Sequence, residues 1–323
     1  MLSATSKMRK RPLGQTGLEV CELGFGAWTI GGVSYGDVEV QDALSAIDAY
    51  VQAGGNFIDT ARLYDESEAI IGKYLREHGN RDDLIICSKT ISGLKKETVP
   101  TIRPDVEESL TQLGTGYIDV YYLHQPPEDD EVIDAAVNEL EKLKEEGLIR
   151  HIGASIKGPN VNDGTLALCK RFIELGRVEV FQVVYSILRQ KLHDVILEAH
   201  EAGIGIVARS ALESGFLSGK YAPGHVFPEG DHRARWPEEN LNFILEKAQE
   251  ISKIVRPPYE DTPQMATKFS LANPGVSTLI LGARNRDQVL RNMSTDNLPA
   301  LPEATIAVLK ETFGDITENC NTR

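Results

Sequence analysis

From residue 23 onward, short apolar runs of four to seven residues alternate with longer segments in which apolar positions recur every three or four residues. The runs fall at 23–27, 56–59, 84–88, 118–123, 149–154, 178–184, 205–208 and 277–281. This alternation predicts parallel strands wrapped by helices. Val40, Leu44, Ile47 and Val51 share one helical face, as do Ile133, Val137, Leu140 and Leu143, followed by Leu192, Val195, Ile196 and Ala199. Eight such units predict an α/β fold of the closed (β/α)8 TIM-barrel type rather than an open doubly wound sheet.

Ahead of the first unit, residues 9–13 and 18–22 flank Gly14 and Gly17, a pattern expected of a β-hairpin that plugs one barrel end. Residues 1–8 read as a flexible N-terminus. Segment 213–237 is rich in Gly, Pro and charge without periodicity, so it reads as a long functional loop anchored by Phe227 and Trp236. Residues 301–313 predict a terminal helix on the barrel wall.

Composition narrows the picture. A chain of 323 residues suits a single barrel domain. The net charge of -14 opposes a nucleic-acid partner, and no basic stripe offsets it. Cys21, Cys87, Cys169 and Cys320 lie far apart, which fits a reducing compartment. The basic start lacks an apolar signal-peptide core, and no run of ~18 apolar residues suggests a membrane span, so a cytoplasmic location is expected.

Active sites of such barrels gather at the carboxyl ends of the strands. There the second run ends at Asp59, the third at Lys89 and the fourth at His124, with Tyr64 in the loop after Asp59. Taken singly, these read as a helix cap, a surface cation and a core histidine. Together they suit carbonyl reduction. An unassisted phenol, with a pKa near ~10, is a reluctant proton donor, and a neighbouring ammonium stabilises the phenolate left behind. Asp59 would keep Lys89 charged and oriented, while His124 would hydrogen-bond the substrate oxygen. No metal is needed.

The stretch NFIDTARLYDESEAIIGKYL at residues 56–75 resembles the signature of the aldo-keto reductase superfamily. IICSKT, DVYYLHQPP, RHIGASI, VFQVVYSIL, ARSALESGFLSGKY and LGARNRDQVLRNM are similar to further family segments in the same order, from roughly residue 9 to 292. The resemblance implies Tyr64 as general acid/base in a tetrad with Asp59, Lys89 and His124. It implies a nicotinamide dinucleotide across the barrel mouth, with Ser155 and Gln182 at the carboxamide and Arg209 stacked on the ring, where the family usually has an aromatic residue. Ser210, Leu212, Ser214, Gly215, Ser218 and Lys220 correspond to the pyrophosphate belt, and Gly282, Ala283, Arg284, Gln288 and Asn292 to the adenosine end.

Three positions depart from the family pattern. Ile156 replaces the asparagine after the serine of GASI, Asp65 replaces the glycine after the tyrosine, and Gly282 replaces the lysine of the 2′-phosphate site. An inward-pointing Asp65 would oppose Lys89. Arg284 and Arg286 remain as phosphate partners, so NADP(H) is the expected cofactor and NAD(H) the alternative. The expected partner is a small carbonyl or alcohol, with Trp28 and Tyr35 as substrate-pocket residues.

Two rival functions use the same residues: a barrel aldolase with a Schiff base on Lys89, and a cofactor-binding, channel-associated regulatory subunit, since such subunits share the likeness. Other signals carry less. GFGAWT lacks the following helix of a dinucleotide fingerprint, and GFLSGKY has the wrong spacing for a triphosphate loop. His193 and His200 read as a surface pair rather than a metal site. The acidic run at residues 128–131 reads as the start of a solvated helix.

Overall fold

Each apolar run becomes a strand of one closed sheet in the computed structural model, which describes residues 8–314 apart from 33, 34, 92 and 159. The barrel strands are β3 Leu23–Gly26, β4 Phe57–Asp59, β5 Ile85–Lys89, β6 Ile118–His124, β7 Ile149–Ser155, β8 Val180–Val184, β9 Gly205–Arg209 and β10 Thr278–Gly282. Successive strands pair in parallel, and β10 closes on β3 with Leu279 opposite Leu23 and Gly282 opposite Gly26. Between them run α1 Val40–Gln52, α2 Ser67–His78, α3 Ile102–Leu113, α4 Asp130–Glu145, α5 Asp163–Leu175 and α6 His193–Glu201. Two helices, α7 Glu238–Ser252 and α8 Thr262–Leu271, separate β9 from β10; α9 Arg286–Ser294 and α10 Glu303–Phe313 follow.

The expected helical faces are buried, except that in α1 Val40, its first residue, is exposed and Val51 is half-buried. Asp129 caps α4 by accepting from the amides of Glu131 and Val132, which explains the acidic start of that helix. No helix among the described residues is long and apolar enough to cross a membrane.

The hairpin plug forms as expected from β1 Lys10–Pro12 and β2 Glu19–Cys21, paired antiparallel. Leu13 and Val20 are fully buried and join Phe57, Ile85, Cys87, Val120, Tyr122, Val180 and Val207 in the barrel's inner core. Burying two such side chains stabilises the plug by roughly 1.5–3 kcal/mol each. Gly14 makes the fit possible, because a Cβ there would lie 2.3 Å from the Gly205 nitrogen. Arg11 then ties the hairpin to the last barrel unit, donating to Glu22 at 2.7 Å and to the carbonyls of Val276 and Leu271.

Met8, the last residue of the segment expected to be flexible, is buried in the main core against Gly54. Residues 1–7 lie outside the described residues, as does Cys320. The other three cysteines are buried thiols.

Candidate active site

Strand register alone gathers the candidate residues at one barrel end. Gly26 is level with Asp59, Lys89 with Tyr122, His124 with Ser155, Ser155 with Gln182, and Val184 with Arg209. Tyr64 enters from the loop after β4. That loop packs so tightly on residue 31 that a Cβ there would lie 2.1 Å from the Tyr64 carbonyl oxygen, which requires Gly31.

Lys89 is wholly buried, and its ammonium donates to Asp59 Oδ1 at 2.9 Å, Asp59 Oδ2 at 2.7 Å and the Thr60 carbonyl at 2.7 Å. Burial disfavours the cation, but the Asp59 carboxylate and the Tyr64 hydroxyl together hold its pKa above the ordinary lysine value. All three protons of the ammonium are engaged by Asp59 and Thr60. Gln182 donates to Asp59 Oδ1 at 2.6 Å and accepts from Ser155 at 3.2 Å, so the carboxylate is braced from both sides.

His124 behaves differently. Burial, followed by the charges of Lys89 and Arg209, pushes its pKa down to about 3. Its Nδ1 is buried without a hydrogen-bond partner. A proton on that nitrogen would be stranded, so the neutral ring is assigned its proton on Nε2. The ring stands edge-on to Tyr64, with centroids 6.3 Å apart.

These groups open into a cavity of about 730 Å³ whose lining includes Trp28, Tyr35, Asp59, Tyr64, His124, Ser155, Gln182 and Arg209. Ser210, Leu212, Ser214, Gly215, Ser218, Lys220, Gly282, Arg284, Gln288 and Asn292 line it as well. Of the sequence-derived candidates, Lys89 lies beneath the wall, and Ala283 and Arg286 are not among the lining residues. Six cations line the cavity, Arg209, Lys220, Arg233, Arg235, Arg284 and Arg291, against two carboxylates, Asp59 and Glu213. Both carboxylates are already paired, with Lys89 and Arg189. A chain of net charge -14 thus presents a cationic groove, which fits an elongated anion such as a dinucleotide. A second hollow of about 700 Å³, beside Tyr117, Lys144 and Arg150 at the amino ends of β6 and β7, contains none of the candidate residues.

Strained backbone is concentrated at the same mouth. Asp65, Gln125, Ser210, Glu213 and Ser214 are the non-glycine residues with positive φ among those described, and all follow barrel strands. Each such conformation costs about 1–2 kcal/mol. The loop carrying Ser210 to Ser218 is held from below by Glu213, which accepts from Ser186 and from Arg189 Nε at 2.8 Å, both partners buried. Asp65 is exposed, so its carboxylate faces solvent and does not oppose Lys89.

The long loop is anchored as expected, with Phe216 against Phe227 and Trp236. It also brings residues that sequence reasoning missed. His232 packs on Trp28 and Tyr35 with ring centroids 4.8 and 4.5 Å apart, and Arg233, paired with Asp231 at 2.6 Å, lies over Tyr35. Aromatic spacing within the loop was the available signal, but its partners lie two hundred residues earlier. Arg284 donates to the carbonyls of Tyr35, Gly36 and Asp37, and Arg286 reaches Asp48 only at 4.0 Å. His193 corrects the surface-pair reading. Its ring contacts Tyr185 and Asn273 through Nδ1 and Lys310 through Nε2, while His200 is exposed.

Comparison with known proteins agrees with this geometry. The model of the aldo/keto reductase family matches residues 22–312. The chain is 29% identical over 320 residues to an uncharacterized oxidoreductase of Bacillus subtilis, covering 94% of this chain and 96% of that protein. It is 28% identical to the NADH-specific methylglyoxal reductase of Escherichia coli, over 94% of this chain and 98% of the relative. An aldo-keto reductase from Bacillus halodurans in its holo form superposes with a TM-score of 0.76 at 27% identity, covering 94% and 96% of the two chains. The chain therefore belongs to the aldo/keto reductase family, oxidoreductases that work with nicotinamide cofactors.

Proposed function

We propose that this protein reduces a small aldehyde, ketone or sugar carbonyl to the alcohol, or runs the reverse oxidation, with Tyr64 as general acid/base and NADP(H) as preferred cofactor. One observation carries the assignment of the proton. Of the two groups beside the Lys89–Asp59 pair whose proton could pass to an oxygen, Tyr64 and His124, His124 is already neutral, its pKa held down at about 3. Tyr64 remains.

The residues divide the work by their surroundings. His124 donates a hydrogen bond from Nε2 to the carbonyl oxygen and polarises it. Tyr64 gives its phenolic proton to that oxygen as negative charge develops. The Lys89 ammonium stabilises the phenolate left behind, and Asp59 with Thr60 keeps the ammonium in place. Reduced nicotinamide, when bound, supplies the hydride to the carbonyl carbon. Ser155 and Gln182 are suited to hold its carboxamide, Arg209 to lie along its ring, and the loop from Ser210 to Lys220 to hold the pyrophosphate. Trp28 and Tyr35 form an apolar wall for the substrate.

The preference for NADP(H) rests on charge. The three carbonyls that hold Arg284 are neutral acceptors, so its positive charge is left uncompensated. Arg291 shares that end of the groove, and a 2′-phosphate brings the anion they lack.

The rival readings fit less well. A Schiff base needs a neutral amine with a free lone pair, whereas Lys89 is held charged with every proton engaged. A regulatory subunit that only binds the dinucleotide would have no use for a buried ammonium placed 4.8 Å from the Tyr64 ring. The test is absorbance at 340 nm with a panel of aldehydes, ketones and sugars against both dinucleotides. Turnover with NADPH exceeding that with NADH supports the proposal. Absence of turnover with either, or borohydride trapping of substrate on Lys89, overturns it.

A further inference from the structure

Among the strained residues at the barrel mouth, four have a visible structural setting and one does not. Ser210, Glu213 and Ser214 belong to the loop braced by Arg189, and Asp65 turns the exposed corner after Tyr64. Gln125 follows His124 directly and has φ of 54°. Its backbone amide donates to the Ser155 carbonyl at 2.8 Å, which extends the β6 to β7 ladder one step beyond His124. Glycine would make that bond without strain. The glutamine side chain has no hydrogen-bond partner among the described residues, yet Gln125 lines the catalytic cavity. Strain retained at a half-buried cavity position whose side chain makes no hydrogen bond is what a ligand-facing residue shows.

We infer that Gln125 is a specificity-determining residue whose amide binds a hydroxyl on the carbon next to the reacting carbonyl, making α-hydroxy aldehydes and α-hydroxy ketones the substrate class. The inference rests on the reading of Tyr64 and His124 given above. Consecutive Cα atoms lie about 3.8 Å apart, so a group on residue 125 reaches the immediate neighbourhood of an oxygen held by His124. An amide carries both acceptor and donors, and so satisfies both the proton and the lone pairs of a hydroxyl. A carboxylate or ammonium at 125 would satisfy only one of them. Trp28 and Tyr35, which line the same cavity, accept the carbon skeleton, as the faces of polyhydroxylated chains require. A substrate with a methyl group in place of that hydroxyl leaves the amide unpaired, and sites built around a hydrogen bond discriminate against such analogues.

Hydroxyacetone and butanone have the same shape and differ only in that hydroxyl, so their ratio of kcat/KM isolates the contact. In the native protein the ratio should favour hydroxyacetone by about 10- to 100-fold. Gln125→Leu should bring it to within about threefold of unity, chiefly through a higher KM for hydroxyacetone with little change in kcat. Gln125→Gly should do the same while raising Tm, because the strain is relieved. Gln125→Asn, which keeps the amide and tolerates the backbone conformation, should recover part of the preference. A native protein that turns over both ketones without preference, or a Gln125→Leu variant that keeps the full ratio, overturns the assignment of Gln125 alone. A native protein that turns over neither ketone with either dinucleotide overturns the functional reading and this inference with it.

Discussion

Lys89 Nζ lies 4.8 Å from the centre of the Tyr64 ring while both oxygens of the Asp59 carboxylate accept its protons at 2.9 and 2.7 Å. The cation is thus placed beside the phenol and cannot be neutralised without breaking a buried pair. Replacing Lys89 by Met should slow carbonyl reduction by at least ~100-fold and destabilise the fold by roughly 3–5 kcal/mol, because Asp59 is left buried and uncompensated. Adding Asp59→Asn should restore most of the stability, measured by urea unfolding, without restoring turnover. Recovery of both together would mean that the pair matters only for folding.

His124 makes the acid side of the stability curve informative. Its folded pKa of about 3 lies below the ordinary histidine value of 6.5, so the unfolded chain binds a proton first as pH falls. Stability that is complete above about 6.5 is therefore lost progressively as pH drops toward 3. His124→Gln removes this dependence, and Tm should fall less steeply from pH 6.5 to pH 4 than in the native protein. His193 is also shifted down by burial and contributes the same trend to both proteins. Parallel Tm curves would contradict a neutral, buried His124.

Glu213 is the support under the strained loop, and Arg189 is its buried partner. Glu213→Ala should break a buried ion pair, costing about 3–5 kcal/mol, and should weaken NADPH binding as the loop from Ser210 to Lys220 loses its brace. Thermal unfolding and fluorescence titration with NADPH read the two effects separately. A destabilised protein with unchanged NADPH affinity would detach this loop from the cofactor.

In the proposed reading, cofactor preference turns on Arg284. Arg284→Ala should reduce the NADPH to NADH ratio of kcat/KM by about 10-fold or more, since a charge-assisted phosphate contact contributes ~1.5–3 kcal/mol. The ratio of dissociation constants for the two dinucleotides is the direct measurement. An unchanged ratio would assign discrimination to Arg286 or Arg291 instead.

The barrel is legible in the sequence because strands covered on both sides read as apolar runs, and because polar residues then stand out at their carboxyl ends. Asp59, Lys89 and His124 are each the last residue of a strand for this reason. The two helices between β9 and β10 are not legible in the sequence. In α8 nearly every residue is buried, including Thr267, Lys268 and Ser270, so no polar face alternates with an apolar one. In α7 the spacing of Leu241, Ile244, Leu245, Ala248 and Ile251 is present but follows a Gly- and Pro-rich loop that conceals its start. His193 reads as a surface residue in the sequence because its partners, Asn273 and Lys310, are 80 and 117 residues away. The left-handed backbone at Gln125, Ser210, Glu213 and Ser214 has no sequence signature at all, since glycine is the usual mark of that conformation.

The central claim, that Tyr64 supplies the proton, is tested most directly by Tyr64→Phe in paired assays of NADPH binding and carbonyl reduction. The account predicts a dissociation constant within about twofold of native and turnover lower by ~100- to 10,000-fold, the share that general acid catalysis contributes. A Tyr64→Phe protein that binds NADPH and reduces the carbonyl at the native rate would contradict it.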